Sequence, residues 1–259
     1  MSITNTSVIL ITGASRGIGA AAARAFAETG ATVALFARSG EAVHRLADEI
    51  RERGGRALAV AGDVGRAGDL ADAVGQCRDT YGRLDVLINN AAVVDPIARV
   101  DQSDTDAWSL AIDINVKGVY YGLHAALPIM LRQGAGTIIN ISSGAASNAL
   151  EAWSAYCASK AAVLSLTRSV HLEYASHGIR SVGLSPGTVA TEMQRQIKSS
   201  GINPVSQLDW SAHIPAEWVG RALVWLAGEA GREFDGGDFS LRSERGRELL
   251  ADFDKAGGH

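Results

Sequence analysis

Cysteine is scarce: Cys77 and Cys157 are the only two in 259 residues. That excludes a disulfide framework, gives no paired metal-ligand spacing and suits a reducing compartment. Basic charge is not in excess either. The net charge of −4 leaves the chain without the electrostatic footprint of a nucleic-acid partner. No apolar run approaches the roughly 20 residues that span a bilayer. The opening Met-Ser-Ile-Thr-Asn-Thr-Ser lacks the basic flank of a signal peptide, so a cytoplasmic protein with no membrane contact is expected. The six histidines, His44, His124, His171, His177, His213 and His259, show no metal-ligand spacing, and no metal is expected. Repeats, low-complexity tracts and linkers are also missing. A chain of this length can bury one sizeable core, so residues 1–259 are expected to form a single domain.

What the chain does contain is a regular alternation. Short apolar runs predict strands at 8–12, 32–37, 57–61, 84–89, 137–142 and 179–185, with a short last one at 238–241. Helical patterns lie between and after them at 18–29, 41–53, 68–81, 104–132 (in two pieces), 154–177, 215–228 and 244–254. Strands interleaved with helices in this way run parallel through right-handed crossovers, in a sheet covered on both faces. The predicted class is α/β, doubly wound. The least regular stretch, 192–214, reads either as an ordinary surface connection or as a lid. It is long for a compact connection, which favours the lid. Residues 242–259 form a C-terminal extension.

The first predicted strand ends in Thr12-Gly13-Ala14-Ser15-Arg16-Gly17-Ile18-Gly19. Glycines in a strand-to-helix turn let backbone amides approach a diphosphate at the positive end of a helix; read alone, the cluster is also compatible with a plain turn. After the second strand an expected feature is missing. Folds that hold the unphosphorylated cofactor usually place an acid there for the ribose hydroxyls, whereas this chain reads Ala34-Leu35-Phe36-Ala37-Arg38-Ser39. Arg38, Ser39 and Arg16 suit a 2′-phosphate, the alternative being three solvated surface residues. The first choice predicts NADP(H) over NAD(H). Gly62-Asp63-Val64 and Asn89-Asn90-Ala91-Ala92 follow the third and fourth strands, on the side where doubly wound sheets bind ligands. Asp63 is equally placed to cap a turn, and Asn89 to be a structural hydrogen bonder.

Tyr156 and Lys160 are four residues apart in a predicted helix, with Ser143 thirteen before the tyrosine. A separation of four puts phenol and ammonium on one helix face. A positive charge at about 5 Å, with an effective dielectric of about 20, favours the phenolate by roughly 3 kcal/mol, and the phenol pKa is expected to fall. Such pairs are also common on helices with no chemical role. Cys157 reads as a small packed residue rather than a nucleophile. Met193, Trp210 and Trp218 read as pocket or as core.

Taken together, the glycine pattern, Asp63-Val64, Asn-Asn-Ala-Ala, Asn115, Ser143, Tyr156-x-x-x-Lys160 and Pro186-Gly187 stand in the order and spacing of the short-chain dehydrogenase/reductase family, which the chain resembles over residues 8–191. The resemblance implies a Rossmann-like sheet of about seven strands in the order 3-2-1-4-5-6-7. It implies a nicotinamide cofactor held by Gly13, Ser15, Arg16, Gly17, Ile18, Gly19, Arg38, Ser39, Asp63, Val64, Asn89, Ala91, Tyr156, Lys160, Pro186, Gly187, Val189 and Thr191. Tyr156 would pass a proton to a substrate carbonyl, Lys160 would tune the phenol and bind the nicotinamide ribose, Ser143 would polarise the carbonyl, and Asn115 would hold a water linking Lys160 to solvent. Strand alternation lets only one of Ser142 and Ser143 face the site, and the family spacing selects Ser143. The implied partners are a small carbonyl or alcohol substrate and further copies of the chain, as a tetramer or dimer, paired through the helices within 104–132 and 154–177. The expected activity is an NADPH-dependent carbonyl reductase. The alternatives are a 3-oxoacyl-thioester reductase and a non-catalytic NADP(H)-binding sensor. Departures from the family pattern are Ala92 for a frequent glycine, Ser185 for a frequent asparagine, and a C-terminal end without the glycine-rich finish of many fatty-acid-synthesis reductases.

Overall fold

Alternate residues of the central strands supply two separate cores. On β1 (Val8–Thr12), Ile9 and Ile11 face one side of the sheet and Val8 and Leu10 the other. On β2 (Thr32–Ala37), Val33 and Leu35 oppose Ala34 and Phe36 in the same way. Strands buried on both faces need helices on both. The first face is covered by α1 (Gly17–Glu28), α2 (Gly40–Glu52), α8 (Ala216–Ala227) and α9 (Glu244–Gly257), and the second by α3 (Ala67–Tyr81), α5 (Gly118–Gln133) and α6 (Ser154–Tyr174). The computed structural model describes residues 3–257, so His259 and the end of the C-terminal extension lie outside the described residues.

The remaining strands are β3 (Arg56–Ala61), β4 (Val86–Asn89), β5 (Gly136–Ile141), β6 (Ile179–Ser185) and β7 (Asp238–Ser240). All pairings are parallel, in one sheet of order β3-β2-β1-β4-β5-β6-β7. The reversal in direction of winding falls between β1 and β4, the crevice where such sheets take ligands.

The helical stretch expected at 104–132 is interrupted. Its first part, α4 (Thr105–Ile112), passes into a π-helical turn, Asp113–Lys117, before α5. Pro215 is the N-cap of α8 rather than its first residue. The stretch 192–214 is more regular than expected, for it contains α7 (Glu192–Ser200) and two 3₁₀ turns. α7 is amphipathic, and its apolar residues Met193 and Ile197, four apart, turn toward Trp153 and Tyr156 in a small third cluster and not toward either main core. No described helix is long and apolar enough to cross a membrane.

Candidate active site

The carboxyl ends of β1, β2, β4, β5 and β6 open into one cleft of about 1120 Å³. Gly13 enters it with φ +65°, and a Cβ there would stand 2.8 Å from Ala91 Cα. A Cβ on Gly19 would stand 2.3 Å from Gly13 O. Side chains are therefore excluded where α1 starts, and no side chain caps that helix. Its first amides are left for an anion. This floor fits a diphosphate, a reading that depends on the bare backbone and not on charge.

Ser15, Arg16, Gly17, Ile18, Arg38, Ser39, Asp63, Val64, Ala91, Pro186, Gly187, Val189 and Thr191 all line the cleft, with Ser143, Tyr156 and Lys160 further along. Arg16 and Arg38 form no ion pair among the described residues. Ser39 Oγ also caps α2, accepting from Ala42 N at 3.4 Å, and Asp63 Oδ1 accepts from Gly65 N at 2.9 Å as a turn cap.

Three of the expected residues stand behind the lining. Gly19 packs on Gly13. Asn89 is in the core and donates to Asn140 Oδ1 at 2.8 Å, while Asn90 lines the cleft and donates from Nδ2 to Thr12 O and Gly13 O. Alternation at the end of β4 accounts for the exchange. Asn115 sits in the π-helical turn, a kind of defect frequent at functional sites. Its Nδ2 donates to Val93 O and Ser159 Oγ and its Oδ1 accepts from Val93 N, at 2.8 to 3.1 Å, so it ties the segment after β4 to α6.

Ser142 and Ser143 diverge as alternation requires. Ser142 Oγ turns away to Asp238 on β7. Ser143 Oγ accepts from Ala145 N at 3.1 Å and hydrogen-bonds Tyr156. Lys160 Nζ donates to Ile141 O at 2.6 Å and lies 5.5 Å from the Tyr156 ring centroid. The ammonium is thus where the helical spacing puts it, but the expected fall in the phenol pKa is not found. Burial pushes Tyr156 up to about 12, against the hydrogen bond from Ser143, and pushes Lys160 down to about 8, against the charge of Asp238. Desolvation of two buried groups outweighs their mutual field. The phenol is accordingly held protonated, the state of a proton donor.

The far end of the cleft is apolar. Ala152, with φ +64°, turns the chain into α6 and sets Trp153 edge-on to Tyr156 at 5.4 Å between ring centroids. Leu150, Met193, Ile197, Val205 and Trp210 complete this end, whereas Trp218 packs on the first core. The excursion bearing α7 is pinched at its base, where Ile214 N donates to Thr188 O and Ala190 N to Ile214 O at 3.1 and 3.0 Å. Ser240, at the end of β7, and Arg242, at the start of the C-terminal extension, also reach the cleft. No spacing in the sequence singles out Arg242. Cys157 packs in the third cluster, and burial pushes the Cys77 thiol up to about 12, which leaves it inert. Among the described residues no three His, Cys, Asp or Glu side chains converge to hold a metal.

Comparison with known proteins agrees with this geometry. The family model for short chain dehydrogenases matches residues 7–201. The oxidoreductase UcpA of Salmonella typhimurium is 42% identical over 189 residues, 73% of this chain and 71% of the relative. A 3-oxoacyl-[acyl-carrier-protein] reductase of Synechocystis is 36% identical over 203 residues, 78% and 82% of the two chains. The crystal structure of the KRED1-Pglu enzyme superposes with a TM-score of 0.81 at 30% identity, covering 90% of this chain and all of that one. The protein is therefore an oxidoreductase of the short-chain dehydrogenase/reductase family, whose members use nicotinamide cofactors.

Proposed function

We propose that this chain is an NADPH-dependent carbonyl reductase acting on small apolar ketones or aldehydes, with Tyr156 as the proton donor. The observation that carries the reading is the convergence of Ser143, Tyr156 and Lys160 at one end of a cleft whose other end presents Arg16 and Arg38 unpaired. The nicotinamide supplies the hydride when bound. Ser143 and Tyr156 direct two hydroxyls at one point, the place for a carbonyl oxygen that gains negative charge, and Tyr156 gives up its proton to it. Lys160 holds the phenol in place from the ribose side. Arg38 and Arg16 take the 2′-phosphate, and Gly13, Ser15, Gly17, Ile18, Asp63, Val64, Ala91, Pro186, Gly187, Val189 and Thr191 hold the rest of the cofactor. The excursion 192–214 is the substrate lid, since its apolar residues face the catalytic tyrosine.

The Synechocystis relative keeps a 3-oxoacyl thioester in play. Measuring kcat/KM for cyclic and open-chain ketones beside a 3-oxoacyl thioester decides between them. The apolar end of the cleft predicts that ketones win, and a preference for the thioester would overturn that choice.

The pKa directions set a pH limb. Reduction is expected to be steady near neutrality and to fall as the pH rises through about 8, where buried Lys160 loses its charge; Tyr156, protonated up to about 12, adds no limb there. A kcat/KM profile level from about pH 6 to about pH 10 would remove the ammonium from the step. Self-association is proposed through α4, α5 and α6, where Leu110, Tyr120 and Leu172 are 55%, 50% and 86% exposed. Tyr120→Glu combined with Leu172→Glu is expected to lower the solution mass to that of a monomer in sedimentation. An unchanged mass would move the interface elsewhere.

A further inference from the structure

Beneath α6 the sheet carries a half-buried carboxylate, Asp238, that the reaction, as described, does not use. Asp238 is on β7, in register with Gly183 of β6. A Cβ on Gly183 would come to 2.8 Å from Asp238 Oδ1, so the glycine clears the path for the carboxylate to lie across β6. From there Oδ2 accepts hydrogen bonds from Ser142 Oγ, just past β5, at 3.0 Å and from Ser185 Oγ on β6 at 2.8 Å. Oδ1 is buried with no hydrogen-bond partner. The turn that delivers Asp238 is itself anchored. Buried Arg180 donates to Asp235 at 2.9 Å and to the carbonyls of Leu226, Ala227 and Gly228 that end α8. A carboxylate with one oxygen buried and unbonded is costly unless a cation compensates it. The cations whose fields act on it are Lys160 and Arg168, both of α6.

We propose that Asp238 is a positioning residue for the catalytic pair, an inference that rests on the roles given above to Tyr156 and Lys160. Through Ser142 it fixes the end of β5, where the carbonyl of Ile141 holds Lys160 Nζ and the next residue but one, Ser143, faces the phenol. Its field also reaches Lys160 and favours the charged ammonium. The charged and titratable groups facing this region are Tyr156, Lys160, Arg168 and His171 from α6 and Asp238 from β7. β5 faces it with Asn140, Ser142 follows just past that strand, and β6 adds Ser181 and Ser185. The directions agree: Asp238 raises the Lys160 pKa that burial lowers, and Lys160 lowers the Asp238 pKa that burial raises.

Asp238→Asn keeps the shape and an acceptor oxygen and removes the charge. Lys160 is one of four lysines, so its Cε signal can be followed by NMR in the full-length protein with ¹³C-labelled lysine and assigned by its loss in Lys160→Met. The expected midpoint near 8 in the parent falls by about one pH unit or more in Asp238→Asn, and the alkaline limb of kcat/KM moves down with it. Should Asp238→Asn not fold, Asp238→Thr carries the same measurement. Coincident Lys160 midpoints in parent and folded variant would overturn the proposal. Absence of turnover in the parent, with the Lys160 midpoint still displaced in the variant, would uphold the Asp238–Lys160 linkage and reject the carbonyl-reductase reading instead.

Discussion

Tyr156→Phe is expected to lose turnover by about a thousandfold while binding NADPH within about threefold of the parent. General acid catalysis is typically worth 10² to 10⁴, and phenylalanine removes the acid alone. The ring stays, and with it the edge-on contact to Trp153 and the packing of the third cluster. Ser143 Oγ keeps its hydrogen bond from Ala145 N, so no polar group is newly stranded. Fold stability should shift by no more than about 1 kcal/mol, the net worth of one hydrogen bond. The prediction thus separates chemistry from binding. Turnover within tenfold of the parent would mean that another group or water delivers the proton.

Arg38→Asp is expected to weaken NADPH by about 100-fold and leave NADH within about threefold. Hydrogen bonds to a charged group are worth about 1.5 to 3 kcal/mol, and the aspartate adds repulsion toward the 2′-phosphate where it would accept from a ribose hydroxyl. Arg38 is exposed and unpaired, so its loss should not disturb the fold. Isothermal titration of both cofactors against parent and variant gives the ratio. Equal weakening of the two would take Arg38 out of phosphate recognition, as would a parent that binds NADH as tightly as NADPH.

Much of this architecture can be read from the chain because the signals are local. β-branched runs bounded by glycine locate the strands, and alternation with helices dictates a parallel sheet. Strand alternation likewise separates Ser142 from Ser143. It also places Asn90, and not Asn89, on the cleft, a step that depends on where β4 ends. Other features depend on tertiary surroundings. α7 is amphipathic, but Met193 and Ile197 answer to Trp153 and Tyr156 in a cleft and not to a main core, and that destination is set by the fold. The π-helical turn at Asn115 has no composition signal, since it arises where that side chain must reach both Val93 and Ser159. The phenol pKa was expected to fall because spacing reveals the charge beside Tyr156 but not the burial of both groups. Asp238 is 78 residues beyond Lys160 in the chain, and only the pairing of β6 with β7 brings it under α6.

The central claim is that this cleft moves a hydride from NADPH to a carbonyl carbon while Tyr156 supplies the proton. It is tested most directly with NADPH deuterated at C4 of the nicotinamide, incubated with the protein and a panel of ketones, aldehydes and diones. The account predicts deuterium on the carbinol carbon of at least one product with the parent protein, and none above background with Tyr156→Phe. Tight binding of NADPH with no label reaching any product would contradict it, and would make the chain a nucleotide-binding sensor.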